Sequence, residues 1–128
     1  MATVQLVVAG TREYSNRDEI FARLDKYHQR CKDAGTELII IEGEARGPDL
    51  ISRKWAETRG VPFRSYPADW DEYGKAAGFI RNEEMAKAGT HVLAFWDGQS
   101  NGTNDMIERG LKHQRRVLVI PVIVEPKK

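Results

Sequence analysis

Lys75–Thr103, KAAGFIRNEEMAKAGTHVLAFWDGQSNGT, is the stretch whose reading decides the fold. Its first half is helix-forming and carries Arg81 and Asn82. His91–Trp96 is a short apolar run of the length of a buried strand. A polar glycine loop, Asp97–Gly102, follows, and Thr103 opens the next helix. A strand ending in a glycine loop at a helix N-terminus can cradle an anion. The free N–H groups of the first helical turn point outward there, and the helix dipole favours negative charge. Arg81, just upstream, can reach the same place.

The same unit repeats in the N-terminal half. Val4–Ala9 is a β-branched run ending at Gly10. Ser15 or Asn16 can cap the following helix, with Asp18 and Glu19 as capping partners. Ile20, Phe21, Leu24, Tyr27, His28 and Cys31 form its apolar face, and Gly35 ends it. Glu37–Ile41 is a second strand. The loop GEARG leads to Pro48, which suits a first helical turn. Leu50, Ile51, Trp55 and Thr58 are expected on the buried side of this helix, which Gly60 closes. Val61–Tyr66 is a weaker strand, interrupted by Pro62 and so expected at a sheet edge.

Pro67–Gly74 reads as a long connection into the Lys75–Ala88 helix. The last helix, Thr103–His113, is expected to bury Met106, Ile107, Gly110 and Leu111. Val117–Ile120 is the fifth strand, broken by Pro121, with Val122–Val124 as an edge or contact surface. Five strand–helix alternations imply one α/β domain over residues 1–128, with residues 121–128 as a C-terminal extension. A parallel sheet of about five strands with helices on both faces follows. Ligands of such folds lie beyond the strands' carboxyl ends, where strand order reverses. Gly10–Tyr14, Gly43–Asp49, Ala68–Gly74 and Asp97–Thr103 should therefore face one crevice.

Composition narrows the function classes. The 128 residues are 41% hydrophobic and 30% charged with a net charge of +1, so no global basic field points to nucleic acid. A single cysteine, Cys31, excludes an intramolecular disulfide and reads as a packed thiol. The Val4–Ala9 run is too short for a membrane span and has no basic leader, so a cytoplasmic protein is expected.

Two common nucleotide signatures are absent. GTREYS after the first strand lacks the later glycines of the dinucleotide fingerprint, and Gly43–Gly47 lacks the Gly-Lys-Ser/Thr of a Walker loop. Gly98-Gln-Ser-Asn-Gly-Thr is the better candidate. Gly98 and Gly102 permit close backbone approach, and Ser100 and Thr103 add hydroxyls; the plainer alternative is a connection in which Thr103 or Asn104 caps a helix. Arg12 and Arg81 can grip phosphate or carboxylate through the guanidinium fork. Trp70 and Tyr73 can stack on a base or cover an apolar edge. Asp69 and Asp71 are weak grounds for a divalent ion, and His28, His91 and His113 lack metal spacing. Neither a metal nor a cofactor is expected.

As a set, GTREYSNRDEI, GEARGPDLISRKWA, YPADWDEYGKAAGFIRNEEM and the NGT loop resemble the YspA-like branch of the SLOG superfamily, from about Val4 to Val119. The resemblance implies a Rossmann-like fold and recognition of a nucleotide or ADP-ribose-like molecule. That superfamily includes phosphoribohydrolases and the DNA-processing protein DprA. Its enzymatic branch carries Arg-Lys and a Met on a helix, a strand, then Pro-Gly-Gly-x-Gly-Thr-x-x-Glu. Arg81, Met85 and Gly102-Thr103 match. Asn82 replaces the lysine, Gln99 and Ser100 interrupt the paired glycines, and Met106 stands in the glutamate's place. A thioether cannot accept a proton, so the binding half of the signature is kept without its carboxylate.

The expected function is therefore binding of a phosphate-bearing, nucleotide-derived ligand, for sensing or sequestration. Gly98, Ser100, Gly102 and Thr103 would hold phosphate with Arg12 and Arg81, beside Gly10, Thr11 and Asn82. Gly43, Gly47 and Asp49 would contact another part, and Trp70 and Tyr73 would flank a base. The alternative is a nucleotide N-glycosidase with Asp69, Asp71 or Arg81 as catalytic candidates. Single-stranded DNA binding is the least favoured reading. A homodimer is expected from the length of the apolar run Val117–Val124.

Overall fold

Runs of branched apolar residues that can be buried on both faces form parallel strands, and the amphipathic stretches between them form covering helices. In the computed structural model, which describes residues 2–124, five strands arise. They are β1 (Thr3–Gly10), β2 (Glu37–Glu42), β3 (Phe63–Ser65), β4 (His91–Trp96) and β5 (Arg116–Pro121). All pair in parallel, in the order β3-β2-β1-β4-β5. The order reverses between β1 and β4, which run in register from Leu6 opposite His91 to Gly10 opposite Phe95.

The helices are α1 (Arg17–Ala34), α2 (Pro48–Arg59), α3 (Trp70–Tyr73), α4 (Ala77–Ala88) and α5 (Asn101–Lys112). Alternate residues of β1 divide the core into two layers, as the period of a strand requires. Leu6 and Val8 pack with Ile20 and Leu24 of α1 and Trp55 of α2. Val7 and Ala9 pack with Met85 of α4 and Met106 of α5 on the other face. This is the expected single Rossmann-like α/β domain. No described helix is long and apolar enough to cross a membrane.

Several local expectations shift. Leu50 and Leu111 are 42% and 59% exposed, and Thr58 is also exposed. The buried stripe of α2 runs through Pro48, Asp49, Ser52, Trp55 and Ala56, so two polar side chains take inward positions and Leu50 rotates to the rim. In α5 the stripe is Thr103, Met106, Ile107 and Gly110, which leaves Leu111 about 100° round the helix. α5 also begins at Asn101, two residues before Thr103.

The 67–74 connection contains helix α3, whose N-terminus Asp69 caps by accepting from Glu72 N at 3.1 Å. A 3-10 turn, Gly74–Ala76, joins it to α4. β3 occupies the expected edge but omits Pro62, whose carbonyl accepts from Ile40 N at 2.9 Å. β5 keeps Pro121 rather than breaking at it. At the free edge the missing N–H costs no ladder bond, and Val122 N resumes pairing to Trp96 O at 3.0 Å. The expected C-terminal extension thus overlaps β5, and its residues 125–128 lie outside the described residues.

Candidate ligand-binding cleft

A cleft of about 290 Å³ opens at the carboxyl ends of the strands, at the reversal between β1 and β4. Each of the four segments expected to face one crevice contributes to it: Gly10 and Arg12, then Asp49, then Trp70, then Ser100, Gly102 and Thr103. Arg81, Asn82 and Met85 of α4 complete one wall.

The loop after β4 is ordered by its own acid. The Asp97 carboxylate accepts from Gln99 N at 2.9 Å and Ser100 N at 2.8 Å. These amides, Ser100 first, hold its pKa below the usual carboxylate range. Asp97 N donates to Thr11 Oγ1 at 3.2 Å, and Thr11 N donates to Phe95 O at 2.9 Å. Buried Thr11 therefore laces the two loops together across the strand reversal. The amides left open lie one step further on, at Asn101, Gly102 and Thr103, because Ser100 gives α5 no side-chain cap. Ser100 Oγ and Thr103 Oγ1 lie 3.4 Å apart. A methyl on Gly102 would meet nothing within 4 Å, so the backbone there faces open space. Gly98 does not line the cleft; its φ of 83° serves the turn itself.

A second group forms where β2 ends. Arg81 Nε donates to Asn82 Oδ1 at 2.9 Å, and its Nη1 donates to Gly43 O at 2.5 Å. Gly43 N in turn donates to Asp49 Oδ2 at 2.8 Å. Asp49 is buried, and burial pushes its carboxyl up to about 7 against the opposing pull of Gly43 N–H and Arg81. Burial lowers the proton affinity of Arg81, with Asp49 opposing that shift, and a guanidinium stays cationic regardless. Behind this group Glu42 is wholly buried, accepting from the Ser65 hydroxyl and from Glu44 N at 2.8 Å. Burial raises its pKa as well. Neither its charge nor its position was legible in the strand pattern.

Asn82, also buried, donates through Nδ2 to Gly102 O at 3.3 Å and to Asp105 Oδ2 at 3.0 Å. Arg109 Nε holds the same Asp105 oxygen at 2.8 Å. Asn82 thus ties Arg81 to the first turn of α5. Met106 lines the floor, 1% exposed.

Other candidates are placed as follows. Arg12 is exposed at the rim. Trp70 is 52% exposed, its ring 3.5 Å from where a Gly78 Cβ would stand. Gly47 has a φ of 84°, and a Cβ there would sit 2.7 Å from Arg12 O, so it seats α2 beneath the first loop. Tyr73, Asp69 and Asp71 are exposed and do not line the cleft. Lys75 and Phe79 do line it, and the sequence reading passed over both. Their signal was the spacing of Lys75, Gly78, Phe79 and Asn82 along one helical face.

A family model for the YspA, cpYpsA-related SLOG family matches residues 4–73. The chain belongs to this family. This SLOG chain is 34% identical over 115 residues to the Gene 61 protein of Mycobacterium phage D29, covering 84% of the chain and 89% of that relative. It also shares the fold of the X-ray structure of DNA processing protein A (DprA) from Streptococcus pneumoniae. The TM-score is 0.71 at 20% identity, over 94% of this chain and 51% of the other, so the chain spans about half the length of DprA. The family match covers β1 to α3 and stops before α4 and α5, which carry Arg81 and the open amides.

Proposed function

We propose that this SLOG domain binds a phosphate-bearing, nucleotide-derived ligand, a nucleotide or an ADP-ribose-like molecule, in the cytoplasm for sensing or sequestration. The observation that carries this reading is the uncapped start of α5, Asn101–Thr103, in a cleft shared with Arg12 and Arg81. Amides and guanidinium forks converging on one hollow suit a phosphoryl group. In this reading Asp49 takes a ribose hydroxyl and Trp70 covers the face of a base. Calorimetry with AMP, ADP-ribose and cyclic ADP-ribose isomers tests the reading, and absence of binding by all of them overturns it. Single-stranded DNA belongs in the same assay, because the structural relative is a DNA processing protein by name.

A nucleotide N-glycosidase is the second reading. It is favoured by Asp49, a buried cleft carboxyl titrating near neutrality. Against it, Met106 presents a thioether, and the neighbouring Asp105 is held by Asn82 and Arg109. Chromatography for released base with the wild type and Asp49→Asn decides. Activity unchanged in the variant removes Asp49 from the role.

The homodimer belongs to the same reading. Edge strand β5 and the segment after it expose Leu118 and Ile123, at 43% and 91%. A monomeric mass by light scattering overturns pairing.

A further inference from the structure

The seam between α4 and α5 carries a continuous chain of polar side chains that starts at Arg81 and leads away from the cleft. Arg81 Nε donates to Asn82 Oδ1, and Asn82 Nδ2 donates to Asp105 Oδ2 at 3.0 Å. Arg109 Nε donates to that same oxygen at 2.8 Å, and its Nη1 donates to Glu83 Oε1 at 3.0 Å. Glu83 Oε2 meets His113 Nε2 at 2.8 Å, with Lys87 Nζ 3.9 Å away. Acid and base alternate along this seam, and neither Asp105 nor Arg109 lines the cleft.

We propose that Arg109 is a positioning residue for the anion site. It cancels the charge of Asp105, which orients Asn82 and through it Arg81, so that the carboxylate does not repel a phosphoryl group at the start of α5. The proposal rests on the phosphate reading of the cleft and extends control of it to a residue outside the lining.

The chemistry of an amide is the first ground. Asn82 has a donor end and an acceptor end. A guanidinium N–H at one and a carboxylate at the other allow a single orientation, with Oδ1 toward Arg81. Asp105 therefore serves the cleft from behind, but it brings a negative charge. Distance is the second ground. Asn82 Nδ2 also donates to Gly102 O at 3.3 Å, so the carboxylate lies within two hydrogen-bond lengths of the backbone that carries the open amides. A like charge at that range disfavours an anion.

Compensation is the third ground. Among the described residues Arg109 is the cation paired with Asp105, at the i,i+4 spacing with the acid nearer the N-terminus. Its bond to Asp105 first, and then its bond to Glu83, raise the Arg109 pKa against the opposing effect of burial. Two carboxylates, one on each helix, thus fix the guanidinium in place.

Calorimetry with AMP tests the proposal on the wild type, Arg109→Ala, Arg109→Lys, Asp105→Asn and the double variant Asp105→Asn/Arg109→Ala. Arg109→Ala is expected to weaken AMP by about tenfold at about 0.05 M salt, and its ratio to wild type should shrink to about twofold at about 1 M. Asp105→Asn keeps an acceptor for Asn82 and removes the charge, so it and the double variant should bind AMP within about twofold of wild type. Arg109→Lys keeps the cation and should recover most of the affinity lost in Arg109→Ala. A tie that is only structural gives a different order, with the double variant at least as weak as Arg109→Ala. That order overturns the proposal, as does an Arg109→Ala loss that is absent or unmoved by salt. Asp105→Asn retains Arg109 and so answers even where Arg109→Ala does not fold; weakening by about tenfold in Asp105→Asn also overturns the proposal. If the wild type binds neither AMP nor ADP-ribose, the phosphate reading itself falls, and this proposal with it.

Discussion

Arg81 Nη1 donates to Gly43 O at 2.5 Å, and the guanidinium lies so close over that glycine that a Cβ would stand 2.7 Å from Arg81 Cζ. Gly43 is therefore small on account of Arg81, whatever else it touches. Gly43→Ala should expel the guanidinium from its seat. The expected result is a loss of about 1–3 kcal/mol in urea unfolding, with phosphate-ligand affinity reduced about tenfold by calorimetry.

Asp49 gives a dependence on pH of known sign. Its carboxyl titrates near 7 in the folded protein against an ordinary value of 3.8. Between those values the folded state holds a proton that the unfolded chain has released. Stability contributed by protonated Asp49 is therefore full below about pH 4, declines as pH rises toward 7, and is flat above. Asp49→Asn should flatten that decline and gain on the order of 1–3 kcal/mol over wild type at pH 8. Unfolding at pH 5 and pH 8 measures both arms, with Glu42 leaving a residual slope of the same sign.

Asn82 can be dissected by one atom. Asn82→Asp keeps an acceptor for Arg81 Nε but replaces the donor that holds Gly102 O and Asp105. The new carboxylate faces a carbonyl and a second carboxylate. A cost of about 1–3 kcal/mol is expected, with weaker ligand binding because the start of α5 loses its tie to α4. Affinity equal to wild type would show that Asn82 does not position the site.

Asp97 should act through the loop alone. Asp97→Ala strands the amides of Gln99 and Ser100 and should cost about 1 kcal/mol by thermal unfolding. Because its folded-state pKa is depressed, the stability it contributes is present above the ordinary carboxylate value and fades as pH falls below it. The wild-type advantage over the variant should shrink accordingly in acid.

Much of the fold was legible locally. The strands ending at Gly10, near Glu42 and at Trp96 stand close to their expected bounds, because burial on both sheet faces demands continuous apolar runs. Helix facing was read less well. Leu50 and Leu111 were assigned inward by hydrophobicity, but Asp49 holds the inward position on α2, and on α5 Gly110 faces inward as expected while Leu111 does not. Gly110 stands 3.0 Å, at its would-be Cβ, from Val92 of β4. In the cleft, the glycine loop and Arg81 were visible as motifs. Asp69 and Asp71 drew attention as loop acids, whereas the carboxyls that burial perturbs are Asp49 and Glu42.

The sequence by itself determined the alternation of strands and helices, and with it which loops follow strand ends. Both depend on periodicities of two and 3.6 residues that nearby side chains set. Only the tertiary structure decided what the Lys75–Thr103 unit faces. Arg81 meets Gly43 across 38 residues, and Asn82 meets Gly102 across 20. Such contacts follow from strand order and from the desolvation of particular polar groups, which no local pattern encodes. The same long-range packing makes Asp49 a near-neutral acid and leaves the start of α5 open.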